Sequence, residues 1–248
     1  MNLKHLLVPA RETRTIDLLS EVCFWSDIQV LRVQTGTEHS LPNGWTRTNT
    51  AVHGGPGFCR KIAATLGAVV AEPDDGFLAA LPPEFARRTI RLMRLGQARA
   101  LTGPKFIKPV NDKHFRAAVY ASGADLVADA SLDEKEVLVS DPVVWECEYR
   151  MFVLDTRIET LSRYAPGDAA PQEQAQEQAQ EQEQARAFCE RVLVDARVRL
   201  PRAVVLDVGH IDGAGWAVVE ANAAVMCSLY DCDPIAVLGV LEYGLTPL

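Results

Sequence analysis

The chain has 248 residues, 48% of them hydrophobic and 23% charged, a composition that suits a packed globular protein and excludes a disordered one. Its 25 basic residues are outnumbered by 33 acidic ones, for a formal charge of −8. That balance argues against duplex DNA or an anionic membrane as obligatory partner, because both reward clustered positive charge. No secretory signal pattern is visible and no apolar run is long enough to span a bilayer, so a cytoplasmic protein is expected. Cys23, Cys59, Cys147, Cys189, Cys227 and Cys232 are scattered without a C-x-x-C pair and read as buried free thiols of a reducing compartment.

In chain order, His5 to Pro9 predicts a strand, Thr15 to Phe24 a helix and Asp27 to Val33 a second strand. The Gly-, Pro-, Asn- and Thr-rich stretch from Thr35 to Asn49 predicts a loop. Gly54-Gly55-Pro56-Gly57 lacks the Lys-Ser/Thr ending of a phosphate loop and reads as a tight turn into a helix from Phe58 to Leu66. Ala68 to Ala71 is a further strand, so the first 82 residues read as a small α/β region. Pro82-Pro83 predicts the start of a long helix closed by Gly103-Pro104. Phe85, Thr89 and Met93 form one stripe of it, and Arg87, Arg91 and Arg94 another.

The second region, residues 83–248, predicts a strand over Lys105 to Val110, a helix over His114 to Gly123 and a strand over Glu136 to Ser140. Trp145 to Leu154 alternates: Trp145, Cys147, Tyr149, Met151 and Val153 on one face, Glu146, Glu148, Arg150 and Phe152 on the other. Asp155-Thr156 turns the chain into Arg157 to Tyr164. Residues 171–184 are almost entirely Glu, Gln and Ala, an exposed low-complexity insertion that extends the helix through Phe188 and Val192. Ala203 to Val208 and Trp216 to Glu220 form a hairpin closed by Asp212-Gly213-Ala214-Gly215.

Asp207 is an acid inside an apolar strand, where an ionised carboxylate needs a cation or several donors. Glu220 and Asn222, two apart on the returning strand, share one face, and closure of the hairpin sets Asp207 opposite them. Three oxygen ligands without nitrogen or sulfur suit Mg²⁺. The plainer alternative is that Asp207 caps a turn and Glu220-Ala221-Asn222 merely ends a strand. Lys108, on a strand, and Lys113, in the following loop, make a polyphosphate clamp. Glu148 and Arg150 share a strand face and reach one cleft, where the arginine offers a planar fork to carboxylate or phosphate.

In this order, Phe106-Ile107-Lys108-Pro109, Glu148-Tyr149-Arg150, Leu206-Asp207-Val208 and Val219-Glu220-Ala221-Asn222-Ala223 resemble the ATP-grasp superfamily. The likeness is to its small clade named for one arginine and two lysines, and it covers residues from about Pro83 to Pro234. The resemblance implies an α+β fold whose two subdomains clasp a nucleotide, preceded by a pre-ATP-grasp region over residues 1–82. It implies that Lys108 and Lys113 hold ATP phosphates, that backbone around Asp141 and Val143 meets the adenine, and that Glu148 meets the ribose. It further implies that Asp207, Glu220 and Asn222 bind Mg²⁺, and that Arg150 and Arg163 steady the γ-phosphate and an acyl group. The lysine that usually precedes the Lys-Pro strand is replaced by an arginine, for which Arg94, or Arg91, is expected. The implied reaction is ligation of a carboxylate to an amine through an acylphosphate, with a homodimer as the default assembly. A kinase in the same cleft and a non-catalytic nucleotide-binding module are the alternatives. The acceptor acid and the nucleophile are not legible in the side chains.

Overall fold

The structure is a computed structural model and describes residues 2–34, 36–37, 41–110, 114–165 and 175–248. The first part runs β1 (His5–Pro9), α1 (Arg14–Trp25), β2 (Gln29–Val33), β3 (Thr50–Val52), α2 (Pro56–Thr65), β4 (Ala68–Val70) and α3 (Phe77–Ala80). Then come α4 (Pro83–Ala86), β5 (Ile90–Arg94), α5 (Leu95–Ala98), β6 (Lys105–Pro109), β7 (Ala118–Tyr120) and β8 (Glu136–Ser140). The chain continues with β9 (Trp145–Leu154), β10 (Arg157–Ala165), α6 (Ala175–Val194), β11 (Ala203–Ile211), β12 (Gly215–Ala223), α7 (Pro234–Leu241) and β13 (Leu245–Pro247).

The first sheet has the order β2-β1-β3, all parallel. Parallel neighbours need crossovers, and α1 supplies the one between β1 and β2. Thr13 caps α1 by accepting from the Ile16 N–H, and Ile16, Leu19 and Cys23 bury one face of the helix. The core under this sheet joins Leu6, Ile16 and Ile62 to Phe152, Val205, Val237 and Leu241. β13 also pairs with β4. Late elements therefore share the core of the first sheet with α1 and α2, across the expected division at residue 82.

A second sheet, β5-β8-β6-β7, and a third, β10-β9-β11-β12, are antiparallel throughout. On the third, Cys147, Tyr149, Met151 and Val153 pack with Phe188, Cys189 and Val192 of α6, while Phe152 joins the first core. This is the alternation expected for β9, with one exception. The register slips between His210 and Ile211, so Trp145 no longer shares the face of Cys147 and instead lines a pocket between the second and third sheets.

Two predicted helices are corrected. The one starting at Pro83 stops after Ala86, because Arg87 is left-handed (φ +52°), and the following residues form β5 against β8. Ile90 and Leu92 pack on one core and Met93 on another, so the apolar residues serve two sheet faces rather than one helical stripe. His114 to Gly123 is likewise not a helix but contains β7, the edge partner of β6. All six cysteines are buried free thiols. Among the described residues no helix is long and apolar enough to cross a membrane.

Candidate active site

Between the second and third sheets lies a slot of about 180 Å³ whose walls include Ile90, Phe106, Lys108, Asp141, Val143 and Trp145. It adjoins a larger cleft of about 860 Å³ that Lys108, Arg150, Glu220 and Asn222 share with Pro56 and Arg60 of α2. An apolar slot opening into a charged cleft matches a flat base followed by a polyanion. Lys108 and Glu220 line both spaces.

Asp141 and Val143 sit at the slot as expected. Asp141 accepts from Lys105 Nζ at 2.8 Å and from the Thr89 N–H, and the Lys105 bond leads the effects that hold its carboxyl below the usual range. Lys108 donates to Glu220 Oε2 at 3.0 Å. Burial alone pushes the Glu220 carboxyl up, but the Lys108 ammonium and hydrogen bonds from Lys108 and Asn222 outweigh it and the net shift is downward. Glu148 lies on the Arg150 side of β9 and accepts from the Tyr164 hydroxyl at 2.7 Å.

Asp207 stands opposite both Glu220 on β12 and Arg150 on β11's other neighbour, β9. Its carboxylate is fully buried, and both oxygens accept from Arg150: Oδ1 from Nε at 3.0 Å and Oδ2 from a terminal nitrogen at 2.6 Å. A third Arg150 N–H donates to the Ser228 carbonyl. Glu220 and Asn222, on the cleft wall, offer oxygen acceptors that fit a hard divalent cation, and the Asp207 oxygens opposite Glu220, each accepting one Arg150 N–H, keep lone pairs of their own. Among the described residues no cluster of three or more His, Cys, Asp or Glu side chains is arranged to hold a metal.

Two expectations change. Arg163 is not brought to Arg150. A one-residue slip between Ile158 and Thr160 puts it opposite Tyr149, on the α6 face, where its Nε pairs with Glu181 at 3.1 Å. The low-complexity segment therefore touches a residue expected in the site, and Glu181 also accepts from the buried Tyr149 hydroxyl. Arg94 lies at the far end of β5, exposed and paired with Glu134, and Arg91 is exposed too. Lys113 lies outside the described residues.

The arginine that does reach the slot is Arg88. It donates to the carbonyls of Ala86, Val218 and Val219 and stacks 5.0 Å from the Trp145 ring centroid. Burial lowers its pKa to about 10. No local signal separates Arg88 from Arg87 beside it; the helix reading of this segment directed attention to Arg91 and Arg94.

Two antiparallel sheets facing across a slot and a charged cleft define the ATP-grasp fold. The chain belongs to an ATP-grasp domain family, the second of the clade named for one arginine and two lysines, which it matches over residues 85–240. Solved structures are similar over nearly the whole chain. A RimK domain protein ATP-grasp from Sphaerobacter thermophilus DSM 20745 is 16% identical, with 97% of this chain and 96% of that one covered and a TM-score of 0.58. A D-alanyl-alanine synthetase A from Vibrio cholerae O1 biovar eltor str. N16961 is 12% identical, with 98% and 99% covered and a TM-score of 0.55. The ATP-grasp ligase PsnB complexed with a minimal precursor is 14% identical, with 97% and 99% covered and a TM-score of 0.54. No curated protein matches.

Proposed function

We propose that the protein is an ATP-dependent ligase that activates a carboxylate as an acylphosphate and transfers the acyl group to an amine. The observation that carries this reading is the continuity of the apolar slot with a cleft holding Lys108, Arg150, Glu220 and Asn222. The adenine lies in the slot against Trp145 and the backbone at Asp141 and Val143, and Glu148 meets the ribose. Lys108 and Arg88 face the phosphates, joined by Lys113, which follows β6 in the sequence. Asp207, Glu220 and Asn222 would hold Mg²⁺, which when bound would neutralise charge on the phosphates.

A carboxylate oxygen of the acceptor attacks the γ-phosphorus and the bond to ADP breaks. The amine then attacks the acyl carbon, loses a proton and expels phosphate. Arg150 binds the acceptor's carboxylate and stabilises charge on the acyl oxygen. The ligase names of the neighbours, one a D-alanyl-alanine synthetase and one complexed with a minimal precursor, support a small-molecule or peptide acceptor.

Hydroxylamine tests the reading without knowledge of the amine, since it converts an acylphosphate to a stable hydroxamate. Incubated with ATP, Mg²⁺ and pools of amino acids and short peptides, the protein is expected to form hydroxamate and ADP together. Lys108→Ala should lower the rate at least tenfold. ADP released without hydroxamate in every pool, with a stable phosphorylated product instead, refutes the ligase and favours a kinase.

A further inference from the structure

The register that turns Trp145 into the slot is fastened from the opposite face of the third sheet. Cys147 of β9 pairs with His210 and Trp145 with Ile211, so Glu146 is the extra residue of a bulge. An unbroken register would set Glu146 against Ile211 and Trp145 against Asp212, with Trp145 on the α6 face beside Cys147. In the bulged strand Glu146 reaches that face instead, and its Oε2 lies 2.6 Å from Nδ1 of His210. An ionised carboxylate only accepts, so Nδ1 carries the proton and donates. His210 shares its side of β11 with Leu206 and Val208, which pack with α6, and its ring stands edge-on to Trp216 with 5.4 Å between centroids.

On the cleft side Trp145 lies over Gly209, where a methyl group would come within 2.6 Å of the indole. The Arg88 guanidinium carbon stands 5.0 Å from the same ring. Gly209 supplies room and Arg88 a cation for the ring face, but neither stops β9 from slipping by one residue. The pairing of Glu146 with His210 does, because the slipped register carries the Glu146 side chain through to the cleft face. The two side chains are 52% and 33% exposed. A pair so open to water is weak, so it biases the register without holding the sheet together.

We infer that His210 is a positioning residue for the nucleotide: through Glu146 it locks the β9 bulge and so aims Trp145 at the base. The inference rests on the proposed placement of adenine in the slot and is independent of the ligase chemistry. Neither His210 nor Glu146 has a part in the site implied by the sequence resemblance.

Calorimetric titration of the full chain with Mg²⁺ and a non-hydrolysable imido analogue of ATP tests it. His210→Ala and Glu146→Ala should each weaken binding about two- to fivefold, the range expected of a partly exposed pair. The double variant should be no weaker than either single one, and His210→Asn, whose side-chain amide keeps a donor for Glu146, should recover most of the affinity. In a Trp145→Ala background His210→Ala should leave affinity unchanged, because no ring remains to be aimed. The ¹⁹F spectrum of the chain labelled with fluorotryptophan gives a readout that a loss of stability alone does not move. The Trp145 signal, assigned by its absence in Trp145→Phe, should be single in the wild type and broadened or doubled in His210→Ala. If His210→Ala does not fold, Glu146→Ala, at an exposed bulge position, carries the same comparisons. A loss of affinity that persists in the Trp145→Ala background, or unchanged affinity in folded His210→Ala and Glu146→Ala proteins, overturns the inference alone. Affinity untouched by Trp145→Ala itself overturns it together with the adenine placement, and a wild-type chain that binds no nucleotide overturns it together with the proposed function.

Discussion

His53 makes the protein acid-sensitive in a calculable way. It follows β3, is only 6% exposed, and has no hydrogen-bond partner for Nδ1 among the described residues. Burial drives its pKa from 6.5 down to about 4, although a hydrogen bond to the Val225 carbonyl favours the charged form and pulls the other way. The folded-state pKa is depressed, so above pH 6.5 the ring is neutral in both folded and unfolded chains and costs nothing. Between 6.5 and 4 the unfolded chain binds a proton that the folded chain refuses, and stability falls as pH falls. A difference of this size is worth roughly 3 kcal/mol once pH is below both values, and about 2.5 kcal/mol at pH 4.5. His53→Gln keeps a donor for Val225 and does not titrate. Urea unfolding of both proteins at pH 7 and pH 4.5 should show the variant losing about 2 kcal/mol less than the wild type over that interval. Equal losses in the two proteins would refute the reasoning, since every other titrating group is common to both.

A methyl group on Gly209 would lie 2.6 Å from the Trp145 ring and 2.8 Å from the Cys147 carbonyl oxygen, and the latter is backbone. Gly209→Ala should therefore cost about 1–3 kcal/mol in urea unfolding, and tryptophan fluorescence should report movement of Trp145 out of the slot. Glu181→Ala removes the acceptor of the buried Tyr149 hydroxyl, a bond of 2.7 Å, and the partner of Arg163. An unmade buried bond of this kind costs about 1–3 kcal/mol, so a lower melting temperature is expected. Hydroxamate formation at 25 °C should be unchanged in that variant, because Glu181 lies across the sheet from the cleft; a matching loss of activity would show that the two faces communicate.

Sequence patterns with a local cause were legible. Period-two alternation placed β9, the Asp-Thr and Asp-Gly-Ala-Gly turns placed two hairpins, and apolar runs placed β1, β8 and β11. Hairpin closure at residues 212–215 brought Asp207 close to Glu220, but a one-residue bulge was needed to set them opposite, since the unbroken register that pairs Val208 with Val218 would put Asp207 against Val219. Where the cause is distant, local pattern misled. The stretch after Pro83 has helical periodicity, but β8, more than forty residues on, offers it ladder hydrogen bonds that a helix there would forgo. Arg163 is two-faced for the same reason: an unbroken hairpin places it opposite Glu148, and one extra residue near Glu159 turns it toward α6. The partner of Asp207 was likewise decided by tertiary structure, since Arg150 is 57 residues away and only the register of β9 on β11 brings the two together. Side-chain period along a strand is a property of the chain, but which face is filled, and by what, depends on a register that one inserted residue reverses.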